Sequence, residues 1–192
     1  MRAVIFDVGG VLFHLTDKSR QQQWETRLGL SEGFLGRTIW TMPISAQAEI
    51  GRASEDDVWM AVADRFQLNP IDLAALRSDF FSGGEWNDQL IEYTQFLRAR
   101  YGTGIISNAW PAARLSIQDH VNDMLFDDLI FSAEVGLVKP DRRIYTLALE
   151  RLRVQPTEAI FIDDVQANVE AAQAIGMKGI RFANTEQTIA EI

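Results

Sequence analysis

The sequence predicts an α/β protein in which a doubly wound parallel sheet carries a small helical domain inserted after its first strand. Two observations predict the sheet: short apolar runs recur along the chain, and segments with helical periodicity separate the later runs. Apolar runs that do not alternate with polar residues are typical of strands covered on both faces by helices. A third observation predicts the insertion, because a long stretch after the first run has helix signals and no evident strand.

Five apolar runs are predicted to be the strands of this sheet. They cover residues 3–6, 104–106, 129–131, 159–162 and 179–182. Between the later runs, residues 141–152 place apolar side chains at the i, i+3, i+4 and i+7 positions of an amphipathic helix. Strand and helix therefore alternate, and sheets of this kind bind ligands outside the carboxyl ends of their strands.

Residues 16–87 are predicted to form a helical cap, which leaves residues 1–15 and 88–192 as the core domain. Ser54 and Asp57 have the spacing of a capping box, which indicates that a helix begins between them. A helical domain inserted at this point is expected to lie over the ends of the strands. Three aromatic residues of the segment are predicted to form its interior: Trp24, Trp40 and Trp59.

Composition excludes several classes of function. The 192 residues have a net charge of −9 and no dense cluster of Lys and Arg, so we expect neither nucleic acid nor an anionic membrane as a partner. The absence of cysteine excludes disulfides, thiolate metal sites and cysteine nucleophiles. The first apolar run ends at Asp7, which is too early for a signal peptide or a membrane span. We therefore expect a cytoplasmic protein, and composition gives no indication of its oligomeric state.

Polar groups follow three of the predicted strands, and a lysine precedes one of the predicted helices. In chain order these groups are Asp7, Ser107, Asn108, Lys139, Asp163 and Asp164. Taken singly, each is common as a turn residue or a helix cap. Because the carboxyl ends of parallel strands converge, however, we expect all of them to share one cleft.

The combination of these groups predicts phosphoryl chemistry. Three carboxylates in one cleft repel one another unless a cation or a proton relieves them, and Mg²⁺ is the oxygen-ligated cofactor expected. Asp7 is the candidate nucleophile, which would form an aspartyl phosphate that water then hydrolyses. Ser107 and Asn108 can donate hydrogen bonds to a phosphoryl group, while Lys139 balances its charge. The expected partner is a small phosphorylated metabolite.

Four segments of the chain resemble the four successive motifs of the haloacid dehalogenase-like hydrolase superfamily. They read FDVGGVL, GIISNA, VGLVKPD and FIDDVQANVEAA. Residues 16–87 resemble the C1 cap of that superfamily, and within them AEIGRASEDDVW resembles a cap segment of the branch that includes bacterial glucose-1-phosphate phosphatase. The resemblance implies a Rossmann-like core, a C1 cap and the activity of a phosphoric monoester hydrolase.

The resemblance also implies a role for each site residue. Asp7 would be the nucleophile, Ser107 and Asn108 would bind the phosphoryl group, and Lys139 would steady both the nucleophile and the phosphate. Asp164 would bind Mg²⁺ directly, with Asp163 as a further ligand or as the partner of a metal-bound water. The remaining metal ligands would be Asp7 and the backbone carbonyl of Gly9.

Gly9 is also where the sequence departs from the superfamily, whose phosphatases usually carry an aspartate there as general acid and base. Loss of a positioned general acid costs on the order of 10² to 10⁴ in rate. His14 is either a substitute acid, since imidazole titrates near neutrality, or a loop residue. Trp110 either lines the substrate entrance or packs in the interior. A second departure is Asn168, which stands where many members have an acid.

Two alternatives to a phosphatase of a small phosphomonoester, such as a sugar phosphate, follow from these departures. A 2-haloacid dehalogenase of the same superfamily also lacks the aspartate that Gly9 replaces. The resemblance implies, however, that dehalogenases use no Mg²⁺ and have no acidic pair in the fourth motif, so Asp163 and Asp164 favour phosphate chemistry. The other alternative is a non-catalytic binding module with the same fold, which has no need of three mutually repelling carboxylates.

Overall fold

The computed structural model describes residues 1–122 and 124–192 of the chain. Its strands are β1 (Ala3–Phe6), β2 (Phe13–Leu15), β3 (Gly84–Trp86), β4 (Gly102–Ser107), β5 (Asp128–Phe131), β6 (Ala159–Asp163) and β7 (Lys178–Arg181). Five of these strands form one sheet in the order β5-β4-β1-β6-β7. All neighbours in this sheet are parallel, so the predicted α/β class and the five predicted strands are confirmed.

Eleven helices are described in addition to a short 3₁₀ turn. They are α1 (Ser19–Arg27), α2 (Phe34–Thr41), α3 (Pro43–Glu49), α4 (Glu55–Phe66), α5 (Pro70–Asp79), α6 (Asp88–Arg98), α7 (Ala113–Ile117), α8 (Ser132–Val135), α9 (Arg142–Leu152), α10 (Gln166–Ala174) and α11 (Thr185–Glu191). None of the helices in the described part of the chain is both long enough and apolar enough to cross a membrane.

Helices cover the central sheet on both faces, which explains why its strands read as continuous apolar runs. Val4 and Phe6 of β1 lie in one hydrophobic cluster together with residues of α6 and α11. Ala3 and Ile5, which point to the opposite face, lie in a second cluster with residues of α9 and α10. All of β1 is fully buried as a result.

Helices α1 to α5 occupy the predicted insertion and pack around a hydrophobic cluster of their own. The predicted capping box is present at the start of α4. The Asp57 backbone N–H donates to Ser54 Oγ at 3.1 Å, and the Ser54 backbone N–H donates to Asp57 Oδ2 at 2.8 Å. The predictions that Trp24 and Trp59 are buried in this cluster are also confirmed.

Two features of the insertion differ from the prediction. Strand β3 pairs antiparallel with β2, so the segment that was expected to be purely helical ends in a two-stranded ribbon. The prediction that Trp40 is an interior residue is wrong, because its side chain at the end of α2 is 41% exposed. Its ring lies against Phe80, Phe81 and Trp110 and remains partly exposed to solvent.

Candidate active site

The end of the central sheet brings three of the predicted site residues together. Asp7 follows β1, and the strands on either side of β1 end in Ser107 and Asp163. The backbone N–H of Asp7 continues the ladder by donating to the Ile162 carbonyl at 2.9 Å. Asp7, Ser107 and Asp163 are all buried, so they lie at the base of the site and not on its rim.

Lys139 joins two of the carboxylates. Its ammonium lies 2.7 Å from Asp7 Oδ1 and 2.7 Å from Asp163 Oδ2, and its side chain is almost completely buried. Asn108 holds the lysine backbone in place, since Lys139 N–H donates to Asn108 Oδ1 at 2.8 Å and Asn108 Nδ2 donates to the Lys139 carbonyl at 3.0 Å. The peptide bond between Lys139 and Pro140 is cis. Positioning of Lys139 by Asn108 is a role that the sequence did not indicate.

Asp163 is fully engaged by hydrogen bonds. Its Oδ1 accepts from the Val165 backbone N–H at 2.8 Å and from Asn168 Nδ2 at 3.1 Å. Its Oδ2 accepts from Lys139 at 2.7 Å and again from Asn168 Nδ2 at 3.0 Å. The neutral amide of Asn168 therefore donates hydrogen bonds to the buried carboxylate of Asp163. A carboxylate at residue 168 would instead repel Asp163. Tyr145 supports this arrangement by donating its hydroxyl to the Asn168 carbonyl at 3.0 Å.

Asp164 has the opposite character, although it is the next residue. Its Oδ1 is buried and has no hydrogen-bond partner within residues 1–122 and 124–192. Gly10 leaves room for this carboxylate, because a Cβ on Gly10 would lie 2.4 Å from Asp164 Oδ2. Gly10 also has a φ of +80°, a conformation that favours glycine.

The residues present fit a divalent cation. Asp7, Asp163 and Asp164 each offer a carboxylate oxygen, and these oxygens lie within 4.8 Å of one another. The unsatisfied oxygen of Asp164 is buried beside them, and an all-oxygen donor set is the one that Mg²⁺ prefers. Lys139 supplies a single positive charge to these three carboxylates, so a cation would relieve their repulsion.

Burial and mutual repulsion raise the pKa values of two of these carboxyls. The pKa of Asp7 rises from its ordinary value of 3.8 to about 7, mainly because burial disfavours the charged form, although Lys139 opposes the change. The pKa of Asp164 is also raised, first by burial and then by the charge of Asp163. Both shifts show that the cluster favours a proton or another cation in addition to Lys139.

The raised pKa of Asp7 predicts that the metal-free protein loses stability as the pH rises. Between the ordinary pKa of 3.8 and the folded pKa of about 7, the unfolded chain is ionised while folded Asp7 keeps its proton. The folded state then binds more protons, so the free energy of unfolding falls with increasing pH. We expect urea unfolding in EDTA to show this fall between pH 5 and pH 8. The fall should be smaller in Asp7→Asn, and parallel curves for the two proteins would contradict the assignment.

The structure also shows the surroundings of Gly9, His14 and Trp110. Gly9 has open space around it, because an added Cβ would meet no atom within 4 Å. Nε2 of His14 lies 3.0 Å from the Val11 carbonyl oxygen, and the His14 ring stacks on Phe182. Trp110 is only 5% exposed and packs against the helical insertion. The structure therefore shows Trp110 packed in the interior, which is one of the two interpretations given from the sequence.

Several known proteins are similar to this chain in sequence. A family model described as haloacid dehalogenase-like hydrolase matches residues 1–176. A sesquiterpene phosphatase of Aspergillus oryzae is 29% identical over 210 residues, which cover the whole chain and 94% of that protein. Bifunctional epoxide hydrolase 2 of Rattus norvegicus is 37% identical over 217 residues, and the chain spans 38% of its length.

The fold is shared with a solved enzyme of Bacteroides thetaiotaomicron. That enzyme, described as a HAD family enzyme in complex with magnesium, superimposes with a TM-score of 0.82 at 19% sequence identity. The match covers all of this chain and 98% of the other. This likeness shows that the two proteins share a fold.

Proposed function

The chain belongs to the haloacid dehalogenase-like hydrolases, and on that premise we propose that it is a Mg²⁺-dependent phosphatase of a small phosphomonoester. The observation that carries the proposal is the buried group of Asp7, Lys139 and Asp163 beside the unsatisfied oxygen of Asp164. The phosphatase of Aspergillus oryzae, which is similar over 94% of its length, supports a phosphomonoester as the substrate. Residues 16–87 would form the cap over this site.

In the proposed reaction, Asp7 attacks phosphorus and forms an aspartyl phosphate as the bond from phosphorus to the ester oxygen breaks. Its Oδ1 accepts hydrogen bonds from the Val8 backbone N–H and from Lys139, both at 2.7 Å, which leaves Oδ2 to attack. Water then hydrolyses the aspartyl phosphate, which releases phosphate and restores the carboxylate. Ser107 and Asn108 would hold the phosphoryl oxygens. Since Gly9 carries no acid, the departing alkoxide takes its proton from water.

The cation would be held by Asp7, Asp164 and the backbone carbonyl of Gly9. Asp163 was a candidate ligand from the sequence, but its four hydrogen bonds favour a role in orienting Lys139. Mg²⁺ bound there would supply positive charge that neutralises the phosphoryl oxygens and the ionised form of Asp7. Lys139 adds a further positive charge through its direct contact with Asp7 Oδ1 at 2.7 Å.

The proposal predicts that Asp164→Asn changes the Mg²⁺ requirement of phosphate release from p-nitrophenyl phosphate. Removing a charged ligand should raise the Mg²⁺ concentration needed for half-maximal rate by at least about tenfold. Asp64→Asn is the matched control, because Asp64 is an exposed carboxylate of the insertion and should leave the Mg²⁺ titration unchanged. Turnover by the wild type that EDTA does not abolish would overturn the metal assignment. No turnover by the folded wild type with Mg²⁺ would overturn the proposed function.

A further inference from the structure

Five aromatic rings form a continuous cluster where the helical insertion meets the core. Trp40, Trp59, Phe80 and Phe81 belong to the insertion, and Trp110 comes from the loop after β4. The ring centroids of Trp40 and Trp110 are 4.6 Å apart, and those of Trp59 and Trp110 are 6.2 Å apart. Phe81 joins the cluster through Trp40 at 6.2 Å. The rings therefore extend from the core loop outward to the surface of the insertion.

Exposure divides the cluster into an interior and an open side. Trp59, Phe80 and Trp110 are between 1% and 5% exposed, as expected for packed aromatic rings. Trp40 and Phe81 are 41% and 44% exposed, although they contact each other. We call these two rings the aromatic wall. Two adjacent exposed rings on a packed aromatic base form an apolar surface of the kind that marks ligand contacts.

The aromatic wall lies close to the proposed phosphoryl site. Trp110, which supports Trp40, follows Ser107 by three residues, and three residues of chain span at most about 11 Å. The insertion also packs tightly on the core at Gly51, because a Cβ on Gly51 would lie 2.2 Å from the Ala133 carbonyl oxygen. The loop that carries Trp110 therefore connects the proposed phosphoryl site to the aromatic wall.

The chemistry of the aromatic wall favours an apolar group. None of the cation–π pairs found within the described residues involves Trp40, Phe81 or Trp110. Ring faces stabilise hydrocarbon by removing apolar surface from water. The hydroxyls of a sugar would instead need polar partners, and unpaired buried hydroxyls are costly. The indole N–H of Trp40 is the single polar atom of the two wall side chains.

From these observations we infer that the aromatic wall binds the alcohol portion of the substrate and selects a phosphomonoester whose alcohol is an apolar chain or ring. This inference rests on the phosphatase function proposed above. Trp40 and Phe81 are then specificity-determining residues, and they take no part in the reaction at phosphorus. The preference should increase with the apolar length of the alcohol until the wall is covered.

Binding of n-alkylphosphonates tests the inference without any turnover. These compounds carry a phosphoryl group that cannot be hydrolysed, and the probes are methyl-, butyl-, hexyl- and octylphosphonate with Mg²⁺, titrated by calorimetry. Burial of a methylene is worth about 0.8 kcal/mol when complete, so we expect affinity to rise about two- to fourfold for each methylene added. The double variant Trp40→Ala/Phe81→Ala should lose this dependence and keep the wild-type affinity for methylphosphonate.

Two control variants make the test specific. Phe96→Ala removes another exposed ring, 53% exposed on α6, and should leave the dependence on chain length intact. Trp40→Phe keeps an aromatic ring and should retain most of the dependence of affinity on chain length.

Affinity that does not change with chain length, or that changes equally in the double variant, would overturn the inference. So would tighter binding of a sugar phosphonate than of hexylphosphonate. Failure of the wild type to release phosphate from p-nitrophenyl phosphate is a separate result, which would overturn the proposed function instead.

Discussion

Asp7→Asn is expected to hydrolyse p-nitrophenyl phosphate at least about 10³-fold more slowly than the wild type while keeping the same fold. An amide has the shape of the carboxylate but does not attack phosphorus. The substitution keeps an oxygen that can accept from the Val8 backbone N–H, as Asp7 Oδ1 does at 2.7 Å. Loss of activity in a folded protein would therefore report the chemistry of Asp7 and not a change in its surroundings. Circular dichroism and urea unfolding provide the check on folding.

A stereochemical experiment separates a nucleophile from a general base at the same position. The substrate is a thiophosphate monoester that is chiral at phosphorus through its oxygen isotopes. If Asp7 forms an aspartyl phosphate, two successive displacements at phosphorus give net retention of configuration in the released thiophosphate. A general base would only activate water, and the single displacement would invert the configuration. Full activity of Asp7→Asn, or inversion at phosphorus, would remove Asp7 as the nucleophile.

Lys139→Met is expected to lower both activity and stability. The ammonium of Lys139 lies 2.7 Å from both Asp7 and Asp163, and both contacts are buried. Breaking a buried ion pair by removing one partner typically costs about 3–5 kcal/mol, because the remaining charges are left without compensation. We expect a loss of this order in the free energy of unfolding at pH 7 without Mg²⁺, measured in urea. Part of the loss should be recovered when Mg²⁺ is added, since the cation relieves the same repulsion.

A double variant separates the effect of Lys139 on stability from its effect on activity. Lys139→Met/Asp163→Asn removes the repulsion between Asp7 and Asp163, so it should regain stability relative to Lys139→Met. It should stay inactive, because no ammonium then orients Asp7 or balances the phosphate. Lys178→Met removes an exposed lysine and should change the free energy of unfolding by less than about 0.5 kcal/mol. Equal stability of Lys139→Met and the wild type would show that the lysine does not stabilise the cluster.

Local sequence signals predicted most of the secondary structure of the core domain. The five strands of the parallel sheet follow from apolar runs that need no knowledge of their partners, and the start of α4 follows from the capping box at Ser54 and Asp57. The ribbon of β2 and β3 was missed because each strand has three residues and its partner lies about seventy residues away in the chain. The exposure of Trp40 was also missed, since a helical position does not show whether another element covers it.

The sequence by itself determined which groups stand at the ends of the strands, because strand ends and polar residues can both be located along the chain. Only the tertiary structure decided how the neighbours Asp163 and Asp164 differ. Asp163 accepts hydrogen bonds from Lys139, Asn168 and the Val165 backbone, whereas Asp164 keeps a buried oxygen without a partner in the described part of the chain. The physical reason is that donors from two separate segments, the loop of Lys139 and the start of α10, converge on one carboxylate and not on the next. Spacing along the chain fixes the order of such groups, and packing fixes which of them meet.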